Sequence, residues 1–411
     1  MCRGAAPKAA VGLLAAILGC GPCSSQDGEA ETTATAVGRV CPESAPAPSP
    51  LPGVRAEHLT VEYWIERSRA QGDPDQAIMS AGDVEQHNHS LARLVDGWPL
   101  GRDDLTGPVD RAAIAADASS RLDGLRAAVE SGRLVAEDGR PLSRREVGPF
   151  RVRPDPDRVR PELTTALEPV PMRCGPRTAG LYDVPPDLRI DRNACSTARA
   201  GETLQILAPW PGGMRLARTD YVLGWIGPNA SLSPPLSAAQ AEALTHERRA
   251  ARPMTRRAVL EAAFALLESP YGWGDTGAGR DCSRFVMDVF ESFGLLLPRN
   301  SARQAQAGTF SVTLSDQSDA ERAEIIEAAG HRGVVLLHFP GHIMLYLGLT
   351  AEGVPMAIHA FADYLEPCAN GGETRRTVER IAVSDLELGR GTSRRSFLDR
   401  ITRVTVLGRG P

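Results

Sequence analysis

The run "GVVLLHFPGHIMLYLG", residues 333–348, constrains this chain's fold more than any other stretch. Its two apolar halves read as strands, and Pro340-Gly341 between them cannot lie inside a central strand because proline offers no backbone N–H. A third apolar segment, "PMAIHAF" at 355–361, follows within strand length. Upstream, "TRRAVLEAAFALLES" carries apolar residues at helical spacing and is stopped by Pro270. The segment after Asp281 has the same spacing, with Phe285, Val286, Val289, Phe290 and Phe293 forming one buried face. Short strands that follow amphipathic helices predict an α+β domain with one helix packed on an antiparallel sheet.

At 411 residues the chain has room for two or three domains. Its net charge of -5, with Lys8 as the only lysine, leaves no basic footprint and excludes a nucleic-acid partner. Arg3 and Lys8 precede the apolar run "AAVGLLAAILGC", which is too short for a permanent membrane span and reads as a signal segment over residues 1–20. Ile17-Leu18-Gly19-Cys20 resembles a bacterial lipobox, implying that Cys20 is lipidated and becomes the new N-terminus. Gly21 where sorting would read Asp implies an outer-membrane lipoprotein facing the periplasm, with an ordinary secreted protein as the alternative. Residues 21–56 are rich in Ala, Pro, Ser, Thr and Glu and are expected to form a disordered tether. In an oxidising compartment Cys174 and Cys195 are able to form a disulfide, although spacing does not fix the pairing.

Residues 57–145 show helical signals, including Ser80-x-x-Asp83 in a capping-box position before "VEQHNHSLARLV". His87 and His89 on that segment read as a solvated helical face, not a metal site. Between residues 146 and 235 the character changes: "ETLQILAPW", "MRLARTDY" and "VLGWIG" are short strands around a Pro-Gly-Gly turn. With Gly201-Glu202 before the first and Gly224-Trp225-Ile226 in the last, this region resembles a bacterial SH3-like barrel. Residues 236–411 complete the chain, and Ser301-x-x-Gln304 within them has a second capping-box spacing.

Cys282 follows Asp281, a good N-cap residue, and so falls in the first turn of a helix, where unpaired N–H groups and the macrodipole favour a thiolate. A nucleophilic thiol needs a base, and the base needs an orienting group. His342 alternates with Ile343, Leu345 and Leu347, which puts it on the opposite face of its strand, and His359 lies in the next strand. In this arrangement His342 takes the thiol proton and His359 holds the second ring nitrogen. His338 sits at a strand end against Pro340-Gly341, and that break rules out a helical zinc pair with His342.

"PYGWG", "RDCSRFV", "LPRNS", "GHIMLYLG" and "IHAFADY", in this order, resemble the NlpC/p60 family of papain-like cell-wall cysteine peptidases over roughly residues 255–411. The resemblance implies Cys282 as nucleophile, His342 as base and His359 as third polar residue, without metal or organic cofactor. Tyr271 matches the tyrosine beside the catalytic cysteine; its hydroxyl and the Cys282 N–H would face the oxyanion, and Trp273 completes the Tyr-x-Trp motif. A helical clip domain followed by an SH3-like module is similar to the subgroup that cleaves the γ-D-glutamyl–diaminopimelate bond of muropeptides with a free N-terminal L-alanine. There Asp281 and Ser283 would bind the substrate's ammonium and Tyr221 would reach it from the SH3-like wall. The chain departs from that pattern in three places: residues 231–253 leave no room for a second SH3-like module, Asp275 replaces a usual glycine, and the expected acidic partner of Tyr221 is not apparent. The competing readings are an amidase, transpeptidase or acyltransferase using the same triad, and a non-catalytic wall-binding lipoprotein.

Overall fold

The computed structural model describes residues 41–94, 103–246, 252–314, 317–369 and 371–408. The expected signal segment and Cys20 lie outside the described residues. Strand β1 (Ser44–Pro46) is followed by helix α1 (Val61–Ser68), strand β2 (Ala77–Met79), helix α2 (Ala81–Leu94) and helix α3 (Arg111–Glu130). Six short strands come next: β3 (Glu162–Thr165), β4 (Val170–Arg173), β5 (Ala194–Ala198), β6 (Thr203–Pro209), β7 (Arg215–Arg218) and β8 (Leu223–Ile226). Then follow β9 (Met254–Thr255), helix α4 (Arg256–Phe264), helix α5 (Cys282–Glu291), β10 (Phe310–Thr313) and helix α6 (Asp319–Gly330). The chain ends with β11 (Gly333–Phe339), β12 (His342–Leu349), β13 (Pro355–Pro367), β14 (Glu373–Asp385), the helical turn Phe397–Arg400 and β15 (Arg403–Gly408).

The Pro-Gly break makes the expected hairpin: β11 and β12 pair antiparallel, with Phe339 opposite His342. They form the centre of a seven-stranded sheet ordered β1-β14-β13-β12-β11-β15-β10, antiparallel throughout except for β1 beside β14. Helix α5 packs on β12 and β13. It starts where expected, because the Asp281 carboxylate accepts the Arg284 N–H at 2.9 Å, and Phe285, Val286, Val289 and Phe290 are buried against the sheet. Fully burying each such side chain contributes roughly 1.5–3 kcal/mol, which fixes the helix end on which Cys282 sits. The second sheet is six-stranded and antiparallel, ordered β3-β6-β7-β8-β4-β5, with Trp225 buried at its centre.

Several expectations need correction. The tether was expected to run to residue 56, but β1 pairs with β14, Leu51 and Val54 are buried, and Cys41 is disulfide-bonded to Cys368. Two apolar side chains and a covalent link are enough to order a segment whose composition suggests none. The stretch 57–145 does not form one helical body. Trp64, Ile65, Met79, Val84 and Leu91 join the core of the seven-stranded sheet, whereas Ile114, Ala118, Leu122 and Val129 of α3 join that of the six-stranded one. His87 is buried, with its Nε2 2.9 Å from the Ala307 carbonyl, while His89 is exposed as expected. The Ser80–Asp83 capping box forms, but at the second proposed box Asn300 caps the turn instead, and Gln304 is buried and bonds the carbonyls of Ser283 and Pro298. The Cys174–Cys195 disulfide is present.

Candidate active site

The first residue of α5 is the free thiol Cys282, 7% exposed. The backbone N–H groups of Ile343, next to His342, and of Ser283 favour its charged form, though less than burial opposes it. Strand alternation puts His342 and His359 on one face of the sheet: Tyr346 pairs with Ala357, and both histidines lie an even number of residues from that pair. His342 Nε2 lies 2.7 Å from His359 Nδ1, leaving His342 Nδ1 as the other ring nitrogen. His359 Nε2 continues to Ser384 Oγ at 2.9 Å, and both residues are fully buried. Ser384 was not foreseen from sequence. It lies two residues beyond Ala382, the cross-strand partner of His359, and so faces the same side. Phe361 stacks on His359 with ring centroids 4.1 Å apart, and Phe339 and Phe397 flank His342.

Burial controls the ionisation of this cluster. It pushes the Cys282 thiol up to about 12, with the Asp281 carboxylate adding to the rise. It also pulls His342 down to about 3, with the Arg400 charge adding to the fall, and lowers His359 well below the ordinary imidazole range. Burial therefore opposes the expected thiolate: desolvation outweighs the helix terminus and favours the neutral thiol and neutral imidazole. For His342 Nδ1 to accept the thiol proton, Nε2 must carry hydrogen and donate to His359 Nδ1. His359 must then hold its own proton on Nε2 and donate to Ser384 Oγ.

Asp281 is held by Arg299, which uses five N–H groups: two on Asp281, and one each on Ser283, Asp275 and Ser196, at 2.6 to 3.0 Å. Burial raises the Asp281 carboxyl, but Arg299 more than reverses this and keeps it below the usual carboxylate range, while burial leaves Asp275 raised. Asp275, the residue in place of the usual glycine, adopts φ 63° and bonds Ser196 Oγ at 2.6 Å. The loop thereby docks on β5, where Thr197 Oγ1 also donates to the Gly274 carbonyl. Trp273 donates its indole N–H to the Asp191 carbonyl and lies under Arg192. Tyr271 is half-buried, and its hydroxyl is raised chiefly by burial, with the Asp281 charge adding to the rise. Tyr221 has an acidic partner after all: its hydroxyl donates to Glu202 at 2.6 Å, and Arg284 lies over its ring. Cys282, Ser283, Tyr221, Trp273 and Arg299 all line one groove of about 610 Å³.

A free thiol at a helix terminus, in a groove whose wall Gly341 shares next to a chain of two imidazoles and a hydroxyl, is the residue set of the thiol–imidazole class of nucleophilic sites. Residues 268–365 match the NlpC/P60 family, and this segment is an NlpC/P60 catalytic domain. The chain is 32% identical over 112 residues to a probable endopeptidase of Corynebacterium glutamicum, covering 27% of this chain and 50% of that protein. To the peptidoglycan endopeptidase RipB of Mycobacterium tuberculosis it is 32% identical over 146 residues, 31% of this chain and 54% of that one. To a gamma-D-glutamyl-L-lysine dipeptidyl-peptidase of Bacillus cereus it is 31% identical over 84 residues, 20% of this chain and 23% of that one. The chain thus spans about half the length, or less, of these relatives. A solved NlpC/P60 endopeptidase from Photobacterium damselae subsp. piscicida superposes with a TM-score of 0.60 at 15% identity, covering 82% of this chain and 95% of that one. That likeness shows a mixed α/β fold shared well beyond the matched segment.

Proposed function

We propose that the protein is a cysteine peptidase of the cell envelope that hydrolyses peptidoglycan stem peptides, at the γ-D-glutamyl–diaminopimelate bond of muropeptides with a free N-terminal L-alanine. The observation that carries the reading is the free thiol of Cys282 at the start of α5, in a groove also lined by Gly341 next to His342, with His359 behind His342. Cys282 attacks the γ-glutamyl carbonyl while His342 takes the thiol proton, and Tyr271 with the Cys282 N–H faces the oxyanion. His342 then protonates the leaving amine and, after its departure, activates the water that cleaves the thioester. Two relatives named as endopeptidases, one of them of peptidoglycan, and a third named as a gamma-D-glutamyl-L-lysine dipeptidyl-peptidase support the reaction class.

The six-stranded sheet is read as the SH3-like module and α3 with its neighbours as the clip region, together walling one end of the groove. Tyr221 paired with Glu202 supports recognition of an ammonium group there. Asp281 contributes charge more than an open coordination site, because Arg299, Ser283, Gly274 and Arg284 already occupy its oxygens. Anchoring through Cys20 to the outer membrane completes the reading; among the described residues no helix is long and apolar enough to cross a membrane.

The test is incubation of the mature protein with L-Ala-γ-D-Glu-diaminopimelate and its N-acetylated form, beside Cys282→Ala, reading products by mass spectrometry. Release of L-Ala-D-Glu by the wild type alone is expected, with the free amine preferred. Cleavage by Cys282→Ala at the wild-type rate would overturn the assignment, and transfer to added amines in place of hydrolysis would favour an acyltransferase.

A further inference from the structure

Arg400 ends the helical turn after β14 and lies 3.9 Å above the Phe339 ring and 6.0 Å from that of Phe397. These two rings flank His342, at 5.1 and 6.1 Å. Of the charges acting on His342, that of Arg400 is the largest. Yet Arg400 has no carboxylate and no hydrogen-bond acceptor among the described residues; its recorded contacts are the two aromatic faces. Arg394 and Arg395 stand close enough to disfavour its charge further. The carboxylates nearby are committed elsewhere: Asp363 takes Arg394 and Arg189, and Asp399 folds back on Ser396 in its own helix cap. A cation left unneutralised beside the residue that must become imidazolium opposes the reaction, so a resting site gains nothing from it.

We infer that Arg400 binds a carboxylate of the residue that leaves with the amine. The inference rests on the peptidase reading of the site, in which His342 hands its proton to that amine and the leaving residue therefore lies on the His342 side. An amino acid held by its amine carries a carboxylate a few bonds away, either its own α-carboxylate or a side-chain one such as that of diaminopimelate. Stacking on Phe339 occupies one face of the guanidinium and leaves its N–H edge for a planar two-point contact. A bound carboxylate also cancels the charge that opposes protonation of His342, so binding and proton transfer reinforce each other.

Three γ-D-glutamyl substrates separate the two carboxylate sources: leaving L-lysine, L-lysine amide and meso-diaminopimelate, each compared in wild type, Arg400→Gln and Arg400→Lys. The wild type is expected to cleave the lysine substrate about tenfold better than its amide if the α-carboxylate is held. It is expected to favour diaminopimelate over lysine by a similar factor if the side-chain carboxylate is held. Arg400→Gln should erase the preference mainly through KM, and Arg400→Lys should keep part of it, with melting curves confirming that both fold. A preference that persists unchanged in Arg400→Gln, or none in the wild type, overturns the inference. If the wild type cleaves none of the three, alkylation of Cys282 decides: faster reaction with iodoacetate than with iodoacetamide, lost in Arg400→Gln, sustains the anion site while the peptidase reading fails. Equal rates for the two reagents, or a ratio unchanged in Arg400→Gln, overturn the site as well.

Discussion

At Cys282 the helix terminus and the low-dielectric pocket pull in opposite directions, and the pocket wins. With the thiol pushed up to about 12 and His342 held near 3, the neutral pair persists at neutral pH. An ultraviolet difference spectrum between wild type and Cys282→Ser at neutral pH should therefore show no thiolate band; a full thiolate band would mean that the ion pair already exists at rest. The same proton logic gives Ser384 a defined task. By accepting from His359 Nε2 it would favour the tautomer chain that leaves His342 Nδ1 basic. Ser384→Ala strands a buried N–H, at a cost of about 1–3 kcal/mol, and should lower kcat roughly tenfold with little change in KM, while Ser384→Thr restores it. An equal loss for Thr and Ala would point to packing instead. Cys282, His342 and His359 were legible because each sits beside a local signal: an N-cap, a Pro-Gly break, an apolar strand. Ser384 was not, because "ETRRTVERIAVSD" has no clean alternation and only the cross-strand register with β13 shows which way the serine faces.

The loop that carries Tyr271 and Trp273 and the loop that carries Arg299 are held together by charge. One guanidinium serves two buried carboxylates, Asp281 and Asp275, and reaches Ser196 on β5. Removing the cation leaves Asp275 and Asp281 facing each other without compensation. Arg299→Gln should therefore destabilise by about 3–5 kcal/mol in urea unfolding. Asp275→Gly, which suits the positive φ and leaves the Arg299–Asp281 pair intact, should cost clearly less. The reverse order would mean that the loop depends on Asp275 alone. In the sequence Asp275 looked like a lost glycine; its meaning depends on an arginine in a distant loop, and no periodic pattern connects irregular segments. Glu202 was hidden in the same way, since the β6–β7–β8 register decides that it meets the Tyr221 hydroxyl.

Across the whole molecule, periodicity gave the type of α4, α5 and β11 to β13, left β14 and α6 unread, and did not say which core an element joins. Helical signals run through both α1 and α3 in the sequence, yet α1 buries side chains in the core of the seven-stranded sheet and α3 in that of the six-stranded one. The strong burial of both cores has a consequence for acid stability. His58, His87, His338, His342 and His359 are all held below the ordinary imidazole value, in each case chiefly by burial. A histidine whose pKa is depressed by folding contributes stability above its unfolded pKa and loses it as pH falls toward the folded one. The unfolded chain takes up these protons from about pH 6.5 downward, so stability should fall by up to about 1.4 kcal/mol per pH unit for each histidine. Asp385 and Asp275 work the other way: burial raises both, Asp385 to about 6, so their protonated forms offset part of the loss as pH falls. The five histidines outweigh these two carboxyls. Urea midpoints should drop between neutral pH and about pH 5, and the drop should be smaller in the double variant His342→Gln/His359→Gln. An unchanged pH dependence in that variant would mean that the paired imidazoles titrate in the folded state as they do in the unfolded one.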